Sequence, residues 1–187
     1  IVLLEDFANV SCAPCVVSNQ IIESLTRNTY GSSKLVSIKY PTNFPGPNDP
    51  FYLANELNCE SRMDYYNILF APTTIIDGKS RPISSDSTKI KDSINVRLAL
   101  APKFKMTVNK NIAGDVYLTS VTIETLDTAG INFENLVLQT VVTEIEIEFP
   151  SPPGNNGERK FYDVMREMLP NFSGEEISNI NQSGVFT

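Results

Sequence analysis

The chain has 187 residues, enough for one large domain or two small ones, each able to bury a core. Hydrophobic residues make up 41% and charged residues 20%, so disorder is excluded as the default state, and the net charge of −7 argues against nucleic acid or an anionic membrane surface as the main partner. Histidine is absent, which removes Ser-His and Cys-His catalysis, histidine-bearing zinc sites and histidine pH switches.

The chain opens on Ile1-Val2-Leu3-Leu4, and residues 1–7 read as a strand covered on both faces, as in a parallel sheet. Nothing precedes this strand, as in a trimmed or processed chain, so the lack of a signal peptide does not decide localisation. No run approaches the ~20 apolar residues of a membrane helix. Residues 13–26 predict a helix with Val17, Ile21 and Leu25 on one face and Pro14 in its first turn. Residues 34–40 predict a second strand. Residues 41–50 hold four prolines and a glycine and predict a stiff loop, which reads either as a substrate-shaping lid or as a rigid connector. Residues 51–67 predict a helix with Leu53, Leu57 and Met63 as its apolar positions. Residues 72–77 predict a strand leading into the Asp77-Gly78 hairpin turn, and residues 88–100 a helix built on Ile90, Ile94 and Leu98. The order is β-α-β-α-β-β-α, with a right-handed crossover between the first two strands and an antiparallel edge from the hairpin.

After Pro102 the pattern changes. Phe104, Met106 and Val108 alternate with polar residues, and residues 116–125 and 135–149 are rich in Val, Ile, Leu and Thr. This is antiparallel β material, expected to form a sandwich-like second domain over 103–187 that is incomplete in this chain. Residues 161–169 carry apolar side chains at helical spacing and predict a short helix, with a strand as the alternative. Glu144, Glu146 and Glu148 line one face of a strand and read as a solvated face rather than a cation site. Asn9-Val10-Ser11, Asn171-Phe172-Ser173 and Asn181-Gln182-Ser183 match the N-glycosylation pattern, which recurs by chance.

Three cysteines remain. They cannot make a four-cysteine zinc site, and neither a metal nor a cofactor is expected. Cys12 and Cys15 stand where the first strand ends and the first helix begins. Free backbone N–H groups and the helix dipole stabilise a thiolate there, and the spacing of three lets the two sulfurs close a disulfide. The pair reads as redox-active, against the alternative of a structural disulfide or idle thiols. The dipeptide between them, Ala13-Pro14, is uncharged, which predicts a reducing couple near about −270 mV rather than about −120 mV. Cys59 reads as a buried helix thiol, with an additional resolving cysteine as the alternative. Asp6 reads either as a buried proton acceptor or as a solvated carboxylate at a strand end, and Glu5 points to the opposite face as a structural residue.

Residues 6–15, DFANVSCAPC, and 71–78, APTTIIDG, resemble the two signatures of the thioredoxin family, in the family's order. The resemblance covers residues 1–101 and implies a thioredoxin-like domain. It implies that Cys12 is the nucleophile and Cys15 the resolving thiol. It further implies that Pro72 is cis and faces the pair, that Asp6 is a buried acid serving the resolving thiol, and that Ala13, Pro14, Ala71 and Thr73 contact the substrate. Ser11 stands where the family usually has tryptophan, which removes part of the expected docking surface. The whole chain, through VLLEDF, FPGPNDPFYLAN, APTTIIDG and FYDVMREMLPNFSG, also resembles the Omp28-related outer-membrane proteins and lipoproteins of Bacteroidetes, in which a thioredoxin-like domain precedes a β-sandwich. That resemblance implies an extracytoplasmic, periplasmic or outer-membrane-associated protein, with a lipid anchor upstream of this segment. Two functions follow as expectations: a thiol-disulfide oxidoreductase acting on client proteins and recharged by an electron donor, or a non-catalytic envelope interaction protein.

Overall fold

A computed structural model describes residues 1–114, 116–177 and 185–186. The chain forms two compact units, residues 1–99 with 140–172, and residues 100–139 with 173–187. The first is a mixed α/β unit and the second is β-rich.

The first unit is built on a five-stranded sheet. Strand β1 (Val2–Ala8) pairs in parallel with β2 (Leu35–Pro41) and antiparallel with β3 (Thr73–Ile76). Alternation along these strands divides the core into two layers. Val2, Leu4, Leu35 and Ile76 pack against Ile22 of helix α1 (Cys15–Glu23) and Leu25 just beyond it, and against Ile90 and Ile94 of helix α4 (Ser87–Leu98). Phe7, Ile38, Tyr40 and Ile75 pack on the other side with Tyr52 of α2 (Pro50–Ala54) and with Cys59 and Met63 of α3 (Glu56–Tyr66). Each fully buried side chain of this size contributes roughly 1.5–3 kcal/mol.

Several expectations are corrected here. The buried residues of α1 are Cys15, Ser18 and Ile22, with Ile21 partly buried against the same cluster, whereas Val17 is exposed because Cys15 anchors the first turn and turns it outward. A π-helical turn, Ser24–Tyr30, extends α1. The single helix expected over 51–67 is two, broken at Asn55, whose φ of −158° lies outside helical space; Leu53 and Leu57 are exposed. Asp77 and Gly78 make the expected turn, both with positive φ, but the returning arm of the hairpin is one bridge at Ser80.

The largest correction concerns the boundary expected after residue 101. Strands β7 (Thr140–Glu148) and β8 (Lys160–Leu169) extend the first unit's sheet, giving the order β3-β1-β2-β8-β7. The helix expected over 161–169 is therefore a strand. Its apolar spacing imitates a helix because Asp163 has a φ of 54° and the β7 register slips opposite Arg166, so the in–out alternation is interrupted twice. Met165 and Met168 join the cluster around Phe7 and Tyr40, while Phe161 and Val164 join Val10 and Phe51. Glu144, Glu146 and Glu148 form cross-strand ion pairs with Arg166, Lys160 and Arg159.

In the second unit, β4 (Phe104–Ala113) and β5 (Val116–Thr125) form a long antiparallel ribbon joined by β10 (Val185–Phe186), and β6 (Val137–Leu138) pairs with β9 (Glu175–Glu176). Ile123 and Ile177 form its small core with Phe104, Val121 and Leu136. The triplet at Asn181 lies outside the described residues.

Candidate functional site: the Cys12–Cys15 disulfide

Strand β1 delivers the chain to a turn at residues 9–14. The Cys12 N–H donates to the Asn9 carbonyl (3.0 Å), the Cys15 N–H donates to the Cys12 carbonyl (3.1 Å), and α1 starts at Cys15. Cys12 therefore sits one turn ahead of the helix and Cys15 in its first position. The two are joined in a disulfide with a Cα separation of 5.3 Å. The pair is buried, Cys12 at 1% and Cys15 at 0% exposure, whereas Ala13 and Pro14 between them are exposed.

The second segment picked out in the sequence meets the first. The Ala71–Pro72 peptide is cis, and Ala71 packs in one cluster with Ala8, Cys12 and Cys15. Thr73 is buried, and its hydroxyl donates to the Phe70 carbonyl (2.8 Å), so it serves this loop.

Asp6 and Glu5 lie on opposite faces of β1, as alternation requires, and both are buried. Glu5 accepts from Arg62 of α3 (2.7 Å) and from the Tyr66 hydroxyl. Burial, reinforced by the Glu5 contact, raises the Tyr66 phenol above its ordinary value. Asp6 faces α1. Its Oδ2 accepts from Lys39 Nζ (2.7 Å), and Lys39 also donates to Asn19 of α1, whose amide donates to both oxygens of Glu158 (2.9 Å each). Asp6 Oδ1 is buried without a hydrogen bond, and Asp6 lines a cavity of about 50 Å³ with Asn19, Lys39 and Glu158. The solvated-carboxylate reading of Asp6 is thus removed. Lys39 was missed by the sequence reading, where a strand lysine looks like a solvent-facing residue. The signal that could have found it is the parallel register, which sets Asp6 opposite Lys39.

Two loops hold the turn that leads into Cys12. From the proline-rich stretch, the carbonyls of Thr42 and Gly46 accept from the Asn9 amide (2.6 and 2.9 Å), and Asp49 accepts from the Val10 N–H (2.9 Å). Asp49 also caps α2 through the N–H groups of Phe51 and Tyr52. Burial raises its carboxyl above the ordinary range, and the Val10, Tyr52 and Phe51 hydrogen bonds oppose that. From the β7–β8 connection, the Asn156 N–H donates to the Val10 carbonyl (3.1 Å). Cys59 lies away from the disulfide in the Phe7–Tyr40–Met63 cluster, and burial pushes its thiol up to about 12. A thiol held protonated in that way is not a resolving cysteine.

The sequence matches no family model, and no curated protein matches it. Solved structures do share its architecture. HBP35 of Porphyromonas gingivalis superposes with a TM-score of 0.80 over 99% of this chain, at 15% identity. A protein of Agrobacterium tumefaciens, AGR_C_4864, superposes with a TM-score of 0.60 over 90% of this chain and 71% of its own, also at 15% identity. Both likenesses are of fold. The chain spans 61% of the HBP35 chain. Among the described residues, no helix is long and apolar enough to cross a membrane.

Proposed function

We propose that the protein is a thiol–disulfide exchange protein whose first unit is thioredoxin-like and works outside the cytoplasm. The observation that carries this reading is the closed Cys12–Cys15 disulfide at the end of β1, packed against Ala71 of the cis Ala71–Pro72 peptide. In the reducing direction the Cys12 thiolate attacks a client disulfide, one client sulfur leaves as a thiolate, and a mixed disulfide forms. Cys15 then displaces the second client sulfur from Cys12, so the client is reduced and the pair oxidised. An upstream dithiol returns the two electrons. The resemblance to Omp28-related proteins supports an extracytoplasmic setting.

A second reading, a non-catalytic envelope interaction protein with a structural disulfide, is favoured by the burial of both cysteines. The short span of the bridge counts against it. Linking residues three apart constrains the unfolded chain little, about 2 kcal/mol by the chain-entropy relation. Insulin reduction by the wild type and by Cys12→Ser separates the two. The exchange reading expects turnover in the wild type and loss of it in the variant; equal rates remove that reading.

A further inference from the structure

Disulfide exchange is a displacement at sulfur, so an attacking thiolate has to reach one Sγ from outside. In the closed structure it cannot, since Cys12 and Cys15 are 1% and 0% exposed. The position of Cys12 is set by the turn before it, through its N–H bond to the Asn9 carbonyl. That turn is held from two sides by two proline-glycine loops. In the first, Phe44-Pro45-Gly46-Pro47, a Cβ added to Gly46 would lie 2.8 Å from Ser11 Cβ. In the second, Pro152-Pro153-Gly154, a Cβ added to Gly154 would overlap the Val10 carbonyl, 2.6 Å from its carbon. Each loop therefore uses the absence of a side chain to bring its backbone onto the residues just ahead of Cys12. Each then adds hydrogen bonds: the carbonyls of Thr42 and Gly46 accept from the Asn9 amide, and the Asn156 N–H donates to the Val10 carbonyl.

We propose that residues 42–49 and 150–157 form a clasp on residues 9–11, and that the Cys12–Cys15 disulfide reacts with thiols only when the clasp lets this segment go. Release breaks a few hydrogen bonds, several of them buried, and uncovers Asn9 and Val10, but it breaks none inside a helix or strand, which places it among local openings rather than global unfolding. In the released state one sulfur of an attacking dithiol bonds to one cysteine sulfur, the Cys12–Cys15 bond breaks, and the other cysteine leaves as a thiolate that takes up a proton. The attacker's second sulfur then closes its own disulfide and frees the first cysteine. The pair gains the two electrons the attacker loses. The clasp rests on the exchange reading for its purpose alone, since reduction by a small dithiol measures access to the disulfide whether or not a client exists.

The test is reduction of the native chain by dithiothreitol, with alkylation and mass analysis following Cys12 and Cys15. Cys59, buried in a different cluster, reports global unfolding in the same sample. The native disulfide is expected to be reduced about 100-fold more slowly than in the guanidinium-unfolded chain, and still faster than Cys59 is alkylated. Gly46→Val and Gly154→Val are each expected to speed reduction at least about tenfold while Cys59 stays protected. The clasp is overturned by native reduction within about threefold of the unfolded chain, by folded variants that reduce at the wild-type rate, or by equal rates of Cys59 labelling and disulfide reduction in the wild type. The last comparison needs no variant, so it holds even where a valine prevents folding.

Discussion

Lys39 is the residue on which the buried charge of Asp6 depends. Both side chains are nearly enclosed, and the ammonium is the one cation in contact with this carboxylate among the described residues. Removing one member of a buried pair leaves the other charge uncompensated, so Lys39→Met is expected to destabilise the first unit by about 3–5 kcal/mol in urea unfolding. The double variant Asp6→Leu, Lys39→Met is expected to recover most of that loss, because replacing both charges removes the desolvation penalty along with the attraction. An unchanged urea midpoint in Lys39→Met would mean that Asp6 is solvated. At this scale the sequence marked two local segments, and the fold brings Ala71 of the second into one cluster with Cys12 and Cys15 of the first. The sequence reading missed Lys39, Asn19 and Glu158, whose meeting requires β2, α1 and the β7–β8 connection to come together.

At the scale of elements, loops and caps hold the site more than the helices do. Asp49 closes three N–H groups, on Val10, Phe51 and Tyr52, and so fastens α2 to the turn before Cys12. Asp49→Ala is expected to cost about 2–4 kcal/mol, the loss of a cap plus a stranded buried N–H. The pH dependence has a definite sign. Burial raises the folded-state pKa of Asp49, so the folded state binds the proton more tightly than the unfolded chain does. The stability linked to this group is therefore present below the unfolded value of about 3.8 and is lost as pH rises through the higher folded value. Comparing urea midpoints of the wild type and Asp49→Asn between pH 3 and 6 isolates it: the stability difference between them should shift in favour of Asn with rising pH. A parallel pair of curves would show that Asp49 titrates normally. The misread element, β8, teaches the converse. Phe161, Val164, Met165 and Met168 have helical spacing, yet a positive φ at Asp163 and a register slip produce the same spacing in a strand packed against two clusters. Periodicity alone does not separate these cases in nine or ten residues.

At the scale of the whole molecule, the first unit is assembled from two stretches of chain that are far apart in sequence. A fragment ending at residue 101 lacks β7 and β8. It loses the burial of Phe161, Val164, Met165 and Met168, roughly 6–12 kcal/mol in sum, against a typical domain stability of 5–15 kcal/mol. Such a fragment is expected to show no cooperative thermal transition and poor amide dispersion in NMR, although it contains the entire CxxC segment and the cis Ala71–Pro72 peptide. Cooperative folding of that fragment would mean that the strands after residue 140 are an accessory rather than part of the core.

The amino-acid sequence by itself determined the site: a cysteine pair at a strand-to-helix junction, a second segment at Ala71-Pro72, and an Asp-Gly turn, all features whose backbone demands are local. Tertiary structure alone decided that the disulfide is shut away, that Asp6 is neutralised by Lys39, and that the sheet is completed by strands from the far end of the chain. The reason is physical. Turns and helix starts are set by φ and ψ preferences of neighbouring residues, whereas burial and charge pairing depend on which distant strands find each other, and that is settled by the competition to cover apolar surface.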